Sequence, residues 1–165
     1  MSDHYHILFV CSGNACRSPM AEGLLKKRLY PEYGKKVAVS SAGTLGLNGN
    51  PATPNAVTVA KEKGVDISKH ISKGISEKIL SEADLILVMA DHHAEYINTH
   101  HPEFIDKVFL LTEFGKPDDP TPKKSIDDPI GEGLSFYRKI INLLDNEINR
   151  ILPELKKQIE KKIKR

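Results

Sequence analysis

The run Cys11-Ser12-Gly13-Asn14-Ala15-Cys16-Arg17-Ser18 sets a thiol and a guanidinium at two ends of a short stretch that contains a glycine. It follows the apolar run Ile7-Leu8-Phe9-Val10 and leads into the helix-like segment Pro19-Met20-Ala21-Glu22-Gly23-Leu24-Leu25-Lys26. A strand, a tight loop and a helix start are the parts from which α/β proteins build anion sites. Loop N–H groups point inward and the helix N-terminus adds positive potential. A cysteine at the start of such a loop is favoured as thiolate, the nucleophilic form. Arg17 can grip two oxygens of a tetrahedral oxyanion with its planar fork. Cys11 is therefore the expected nucleophile. The loop of Ser12, Gly13, Asn14, Ala15 and Cys16, closed by Arg17 and Ser18, is the expected phosphate cradle. Gly13 and Asn14 are the residues that best tolerate positive φ there. Ser18 suits a helix N-cap and Pro19 the first helical position.

These groups need a scaffold, and the rest of the chain reads as one. Short apolar runs alternate with helix-like segments. Strands are expected at 7–10, 37–40, 85–89 and 108–111. Helices are expected at 18–30, 54–63, around 76–81, at 91–99 and from Glu132 onward, the last with Phe136, Ile140, Leu143 and Leu144 on one face. The unbroken run Leu85-Ile86-Leu87-Val88-Met89 has the character of a parallel strand buried on both faces. The stretch from Gly115 to Pro129 is rich in Pro, Asp and Lys and reads as a loop. The expected fold is an α/β domain, residues 1–165 as one unit, with a small parallel sheet of about four strands flanked by helices. The phosphate loop follows the first strand, at the carboxyl end where such folds bind ligands.

Composition sets further bounds. A chain of 165 residues with a net charge of +2 carries no nucleic-acid footprint in its balance. No apolar stretch approaches a membrane span and the first residues lack a signal-peptide pattern, so no membrane partner and a cytoplasmic location are expected. Cys11 and Cys16 are the two cysteines, too few for a disulfide scaffold. The histidine pairs His92-His93 and His100-His101 invite a metal reading. Neighbouring helical residues do not face the same side, and no cysteine or carboxylate cluster completes a site, so neither metal nor cofactor is expected. The basic, amphipathic tail Leu155 to Arg165 reads as a packed terminal helix with a solvated outer face.

The segment Val10 to Glu22 closely resembles the active-site signature of the low-molecular-weight protein tyrosine phosphatases. That family also includes bacterial protein arginine phosphatases and thioredoxin-coupled arsenate reductases. The resemblance continues in chain order at Ser40-Ser41-Ala42-Gly43-Thr44, Ile67-Ser68-Lys69-His70, Ala83-Asp84-Leu85-Ile86-Leu87-Val88-Met89 and Asp128-Pro129. It implies hydrolysis of a phosphorylated protein through a phosphocysteine on Cys11, with Arg17 holding the phosphoryl group. Asp128, directly before Pro129, is implied as the general acid, and Asp127 as a solvated neighbour. Asn14, Ser41 and His70 are implied as the residues that hold the loop in shape.

Three enzymatic readings share this loop. Arsenate reduction in the family relays a disulfide through further cysteines, and none follows Cys16. Tyrosine phosphatase is the main expectation, although Leu45-Gly46-Leu47 and Ile130-Gly131 stand where the family's tyrosine enzymes carry aromatic walls. Arginine phosphatase is the alternative: the Asp-Pro-x-Gly pattern matches, while Ala15 stands where those enzymes carry threonine. A binding module without turnover would be marked by loss of nucleophile, arginine or acid, and all three are present.

Overall fold

The computed structural model describes residues 3–116 and 125–163. Four parallel strands, β1 (Tyr5–Cys11), β2 (Val37–Gly43), β3 (Leu85–Val88) and β4 (Val108–Leu110), form one sheet in the order β2-β1-β3-β4. Five α-helices surround it: α1 (Arg17–Tyr33), α2 (Pro54–Glu62), α3 (Glu77–Glu82), α4 (Asp91–His100) and α5 (Leu134–Ile163). This is the expected α/β fold.

The pleat of the central strand explains the two-layered core. Side chains alternate along a strand, and Ile7, Phe9 and Cys11 join a cluster with Leu24, Leu25, Ile141 and Leu144 of α1 and α5. Leu8 and Val10 join the opposite cluster with Leu80 of α3 and Ile97 of α4. Neighbouring β3 divides the same way, with Leu85 and Leu87 on the first side and Ile86 and Val88 on the second. Each fully buried side chain of this size contributes about 1.5–3 kcal/mol relative to exposure. The sheet centre is thus the stiff part of the molecule, and Cys11 ends it.

Element ends shift: β1 and β2 run longer than expected and α5 begins at Leu134 and not at Glu132. Helix α1 runs through Pro31 to Tyr33 instead of stopping at residue 30. Its last turn is held from outside: Tyr33 is buried and its hydroxyl donates to Glu160 Oε2 at 2.9 Å, on α5. The strands at 85–89 and 108–111 each end one residue early, though Met89 and Leu111 still donate their N–H to Val10 O and Val88 O. The buried stripe of α5 comprises Tyr137, Ile140, Ile141, Leu144, Ile148, Ile151, Leu155, Ile159 and Ile163, with Phe136 and Leu143 only flanking it. Of the loop expected at 115–129, residues 117–124 lie outside the described residues, as do Lys164 and Arg165 of the tail.

Candidate active site

Strand β1 delivers Cys11 to the carboxyl edge of the sheet, and residues 12–16 curl from there into α1. The positive φ that this turn requires falls on Asn14, at 55°, one of the two residues expected to tolerate it, and not on Gly13. Asn14 tolerates that region better than most residues, and here its side chain is held on every side. It is fully buried. Its Nδ2 donates to Ser18 Oγ at 2.8 Å and to Ser41 Oγ at 2.9 Å, and its Oδ1 accepts from Lys73 N at 3.0 Å. Its carbonyl accepts from His70 Nε2 at 2.7 Å. The structure therefore brings Asn14, Ser41 and His70 together around the loop. His70 follows the turn at Ser68 and Lys69 and donates its N–H to Ile67 O at 3.1 Å.

Ser18 is not the N-cap. The first helical hydrogen bond runs from Met20 N to Cys16 O, so Cys16 occupies that position and Ser18 lies inside the first turn. The displacement changes what its hydroxyl can do. Ser18 Oγ lies 2.9 Å from Cys11 Sγ while accepting from Asn14. Its own proton is then free to point at sulfur.

Arg17 is 3% exposed. Its Nη1 donates to Ile126 O at 2.8 Å, and its Nη2 donates to Ser12 Oγ at 3.3 Å and faces Asp128 Oδ2 at 3.4 Å. Among the described residues its Nε is the buried side-chain nitrogen or oxygen that has no partner. A buried charged donor without an acceptor is costly unless an anion completes it. Ile126 in turn donates its N–H to Met89 O at 2.7 Å, just past β3. The segment carrying Asp128 is thereby pinned to the sheet. Asp128 is 38% exposed and takes the Ile130 N–H on its Oδ1 at 3.1 Å, leaving Oδ2 towards Arg17. Asp127 is exposed.

Several residues that matter to this geometry escaped the sequence reading. Glu22 Oε1 accepts from Ser41 Oγ at 2.6 Å and so anchors the chain Ser41–Asn14–Ser18–Cys11. Gly43 approaches the loop so closely that a Cβ there would stand 2.5 Å from Ser12 O and 2.9 Å from Asn14 N. Cys16 Sγ lies 3.4 Å from both Thr53 Oγ1 and Tyr137 Oη. Burial pushes the Cys16 thiol up, and burial with the Cys16 contact pushes Tyr137 up to about 12.

His93, dismissed as half of an adjacent pair, is fully buried. Its Nδ1 accepts from Ala90 N at 3.0 Å and its Nε2 lies 2.9 Å from Ser12 Oγ. Burial first, then the Arg17 guanidinium, pushes it down to about 3. The unfolded chain therefore binds a proton here from about pH 6.5 downward that the folded chain refuses until about pH 3. The stability contributed by neutral His93 is complete above pH 6.5 and is lost as pH falls through that window. The urea midpoint of the wild type should fall more steeply between pH 6.5 and pH 4 than that of His93→Gln. Parallel slopes would show that His93 does not resist protonation.

The family described as low molecular weight phosphotyrosine protein phosphatase matches residues 6–162. The chain is 36% identical over 157 residues to a protein-arginine-phosphatase of Bacillus subtilis (strain 168), covering 94% of this chain and 97% of that one. It superimposes on a low molecular weight protein tyrosine phosphatase from T. tengcongensis with a TM-score of 0.81 at 37% identity, covering 91% and 99% of the two chains. An arginine phosphatase from Geobacillus stearothermophilus gives a TM-score of 0.83 at 35% identity, covering 93% and 94%.

Proposed function

The chain belongs to the low molecular weight phosphotyrosine protein phosphatase family, and we propose that it hydrolyses phosphotyrosine in proteins through a phosphocysteine formed on Cys11. The observation that carries this reading is the orphan Arg17 Nε in the same loop as the Cys11–Ser18 pair: a buried cationic donor without an acceptor and a hydroxyl 2.9 Å from the thiol sulfur.

The reaction has two displacements at phosphorus. In the first, the Cys11 thiolate attacks and an S–P bond forms as the P–O bond to the phenol breaks. Asp128 gives its proton to the departing oxygen. In the second, the Asp128 carboxylate takes a proton from water, which attacks phosphorus. The S–P bond breaks, phosphate leaves and Cys11 is thiolate again. Arg17 and the N–H groups of residues 12–17 hold the three equatorial oxygens, where charge stabilisation matters most. Asn14, Ser41 and His70 keep the loop shaped for that task. Turnover of para-nitrophenyl phosphate with an acid-trapped phosphocysteine is the test; a protein that binds phosphate and turns nothing over would be a binding module instead. Among the described residues no helix is long and apolar enough to cross a membrane, and both thiols are free. A cytoplasmic site of action belongs to the same proposal.

A second reading, arginine phosphatase, is favoured by the aliphatic rim. Leu45 and Ile130, 64% and 59% exposed, flank the loop where stacking rings would favour a phenol. Leu45 is tied to it, donating its N–H to Ser12 O at 3.0 Å. Without such rings, about 0.5–1.5 kcal/mol per stacked pair is forgone. The wild type should therefore hydrolyse phosphotyrosine peptides with only weak preference over simple aryl phosphates. Ala15→Thr should move the kcat/KM ratio towards phosphoarginine peptides. A wild type that hydrolyses phosphoarginine about a hundredfold better than phosphotyrosine, a difference of about 2.7 kcal/mol, would establish the second reading in place of the first.

A further inference from the structure

Ser12 is held by two donors, which decides what its hydroxyl can still do. The Ala90 N–H points at His93 Nδ1 from 3.0 Å, so that nitrogen carries a lone pair and the ring proton of neutral His93 sits on Nε2. The same contact opposes the doubly protonated ring, because a proton on Nδ1 would face the Ala90 N–H. Nε2–H therefore donates to Ser12 Oγ, 2.9 Å away. Arg17 Nη2 donates to the same oxygen at 3.3 Å. A serine hydroxyl has two acceptor lone pairs and one proton. With both lone pairs engaged, donation is what remains. The exposed His92 Nε2 lies 3.5 Å away, at the limit of a hydrogen bond.

We propose that His93 is a positioning residue that turns the Ser12 hydroxyl into an obligate hydrogen-bond donor to the phosphoryl oxygens held in the loop. The inference rests on the phosphatase reading for its ligand, an oxyanion. Ser12 is partly exposed at the first position of the loop, the place from which a donor can reach such a ligand. His93 is buried behind it, on the first turn of α4, and touches the ligand only through Ser12. A donor of fixed sense favours oxygens and disfavours N–H groups in the same place, so this pair also enforces which end of a phosphorylated side chain enters.

The test is a mutant cycle on the full-length protein, with inorganic phosphate affinity by calorimetry and kcat/KM on para-nitrophenyl phosphate as paired readouts. Ser12→Ala should weaken both about tenfold, the scale of one hydrogen bond to a charged group. His93→Asn retains an acceptor for the Ala90 N–H but cannot reach Ser12, and should lose the same factor. The double variant should be no worse than Ser12→Ala alone, because His93 acts through that hydroxyl. His93→Gln, whose amide N–H can reach Ser12, should recover most of the loss. A double variant that loses the product of the two factors would overturn the proposal, as would unchanged phosphate affinity in Ser12→Ala. An independent check uses the wild type alone: the nitrogen-15 imidazole spectrum at neutral pH should show His93 as the Nε2–H tautomer, and the Nδ1–H tautomer would overturn the proposal even if a His93 variant fails to fold. Should the wild type bind phosphate but turn over no aryl phosphate, the phosphatase reading fails while the phosphate cycle still decides the role of His93.

Discussion

Replacing Cys11 by serine is expected to lower aryl phosphate turnover by about four orders of magnitude or more, the scale seen when an enzyme loses its nucleophile. Inorganic phosphate binding should survive. The two effects separate because they come from different atoms. In the proposed mechanism sulfur forms the bond to phosphorus, whereas Arg17 Nε and the loop N–H groups hold the oxygens. A serine hydroxyl is a far weaker acid than a thiol, and among the described residues the hydrogen-bond partner of Cys11 Sγ is Ser18 Oγ and not a histidine that could act as a base for a serine there. Cys16→Ser is the contrast. Cys16 caps α1 and contacts Thr53 and Tyr137, contacts that a serine hydroxyl can replace in part. That variant should lose stability and keep substantial turnover. Steady-state rates with phosphate affinities for both variants make the check. Wild-type turnover in Cys11→Ser would remove the phosphocysteine from the mechanism.

The second large effect is expected at Asp128. General acid catalysis contributes typically about 10²–10⁴-fold, and its value depends on how badly the departing oxygen needs a proton. Asp128→Asn should therefore cost a factor in that range on aryl esters of high-pKa phenols and far less on those of low-pKa phenols. The carboxylate is suited to this by its two oxygens having different company. Oδ1 is occupied by the Ile130 N–H, and Oδ2 lies 3.4 Å from Arg17 Nη2, on the loop side. Asp127 is exposed, and Asp127→Asn should change little. A leaving-group series on the three proteins, plotted as log kcat/KM against phenol pKa, is the measurement. A uniform loss across the series would move the acid away from Asp128.

The family, the order of strands and helices, and the positions of the thiol, guanidinium and Asp-Pro pair were legible in the chain because each is a local pattern. Strand β1, the loop and the start of α1 occupy about twenty consecutive residues, and alternation of apolar runs with helical segments needs no knowledge of contacts. Element ends were less legible. Pro31 reads as a helix stop, yet Tyr33 docks on α5 through Glu160 and carries the helix past it. That contact joins residues 127 apart in the chain, and no local pattern contains it.

What the sequence by itself determined is which groups are available for chemistry: a thiol, a guanidinium and an Asp-Pro carboxyl on an α/β scaffold. Tertiary structure alone decided how that chemistry is held. Ser18 reads as a cap, and becomes a partner of Cys11 because the first helical hydrogen bond starts two residues earlier, at Cys16. His93 reads as half of an adjacent pair that builds no metal site, and comes within 2.9 Å of Ser12 Oγ because folding sets the first turn of α4 beside the loop, 81 residues away in sequence. Glu22 carries no role of its own in the sequence, and anchors Ser41 because β2 runs alongside β1. The physical reason is common to all three. A buried polar group must find a partner with the right proton sense, and that partner is supplied by whichever element folding brings alongside, not by the next residue in the chain.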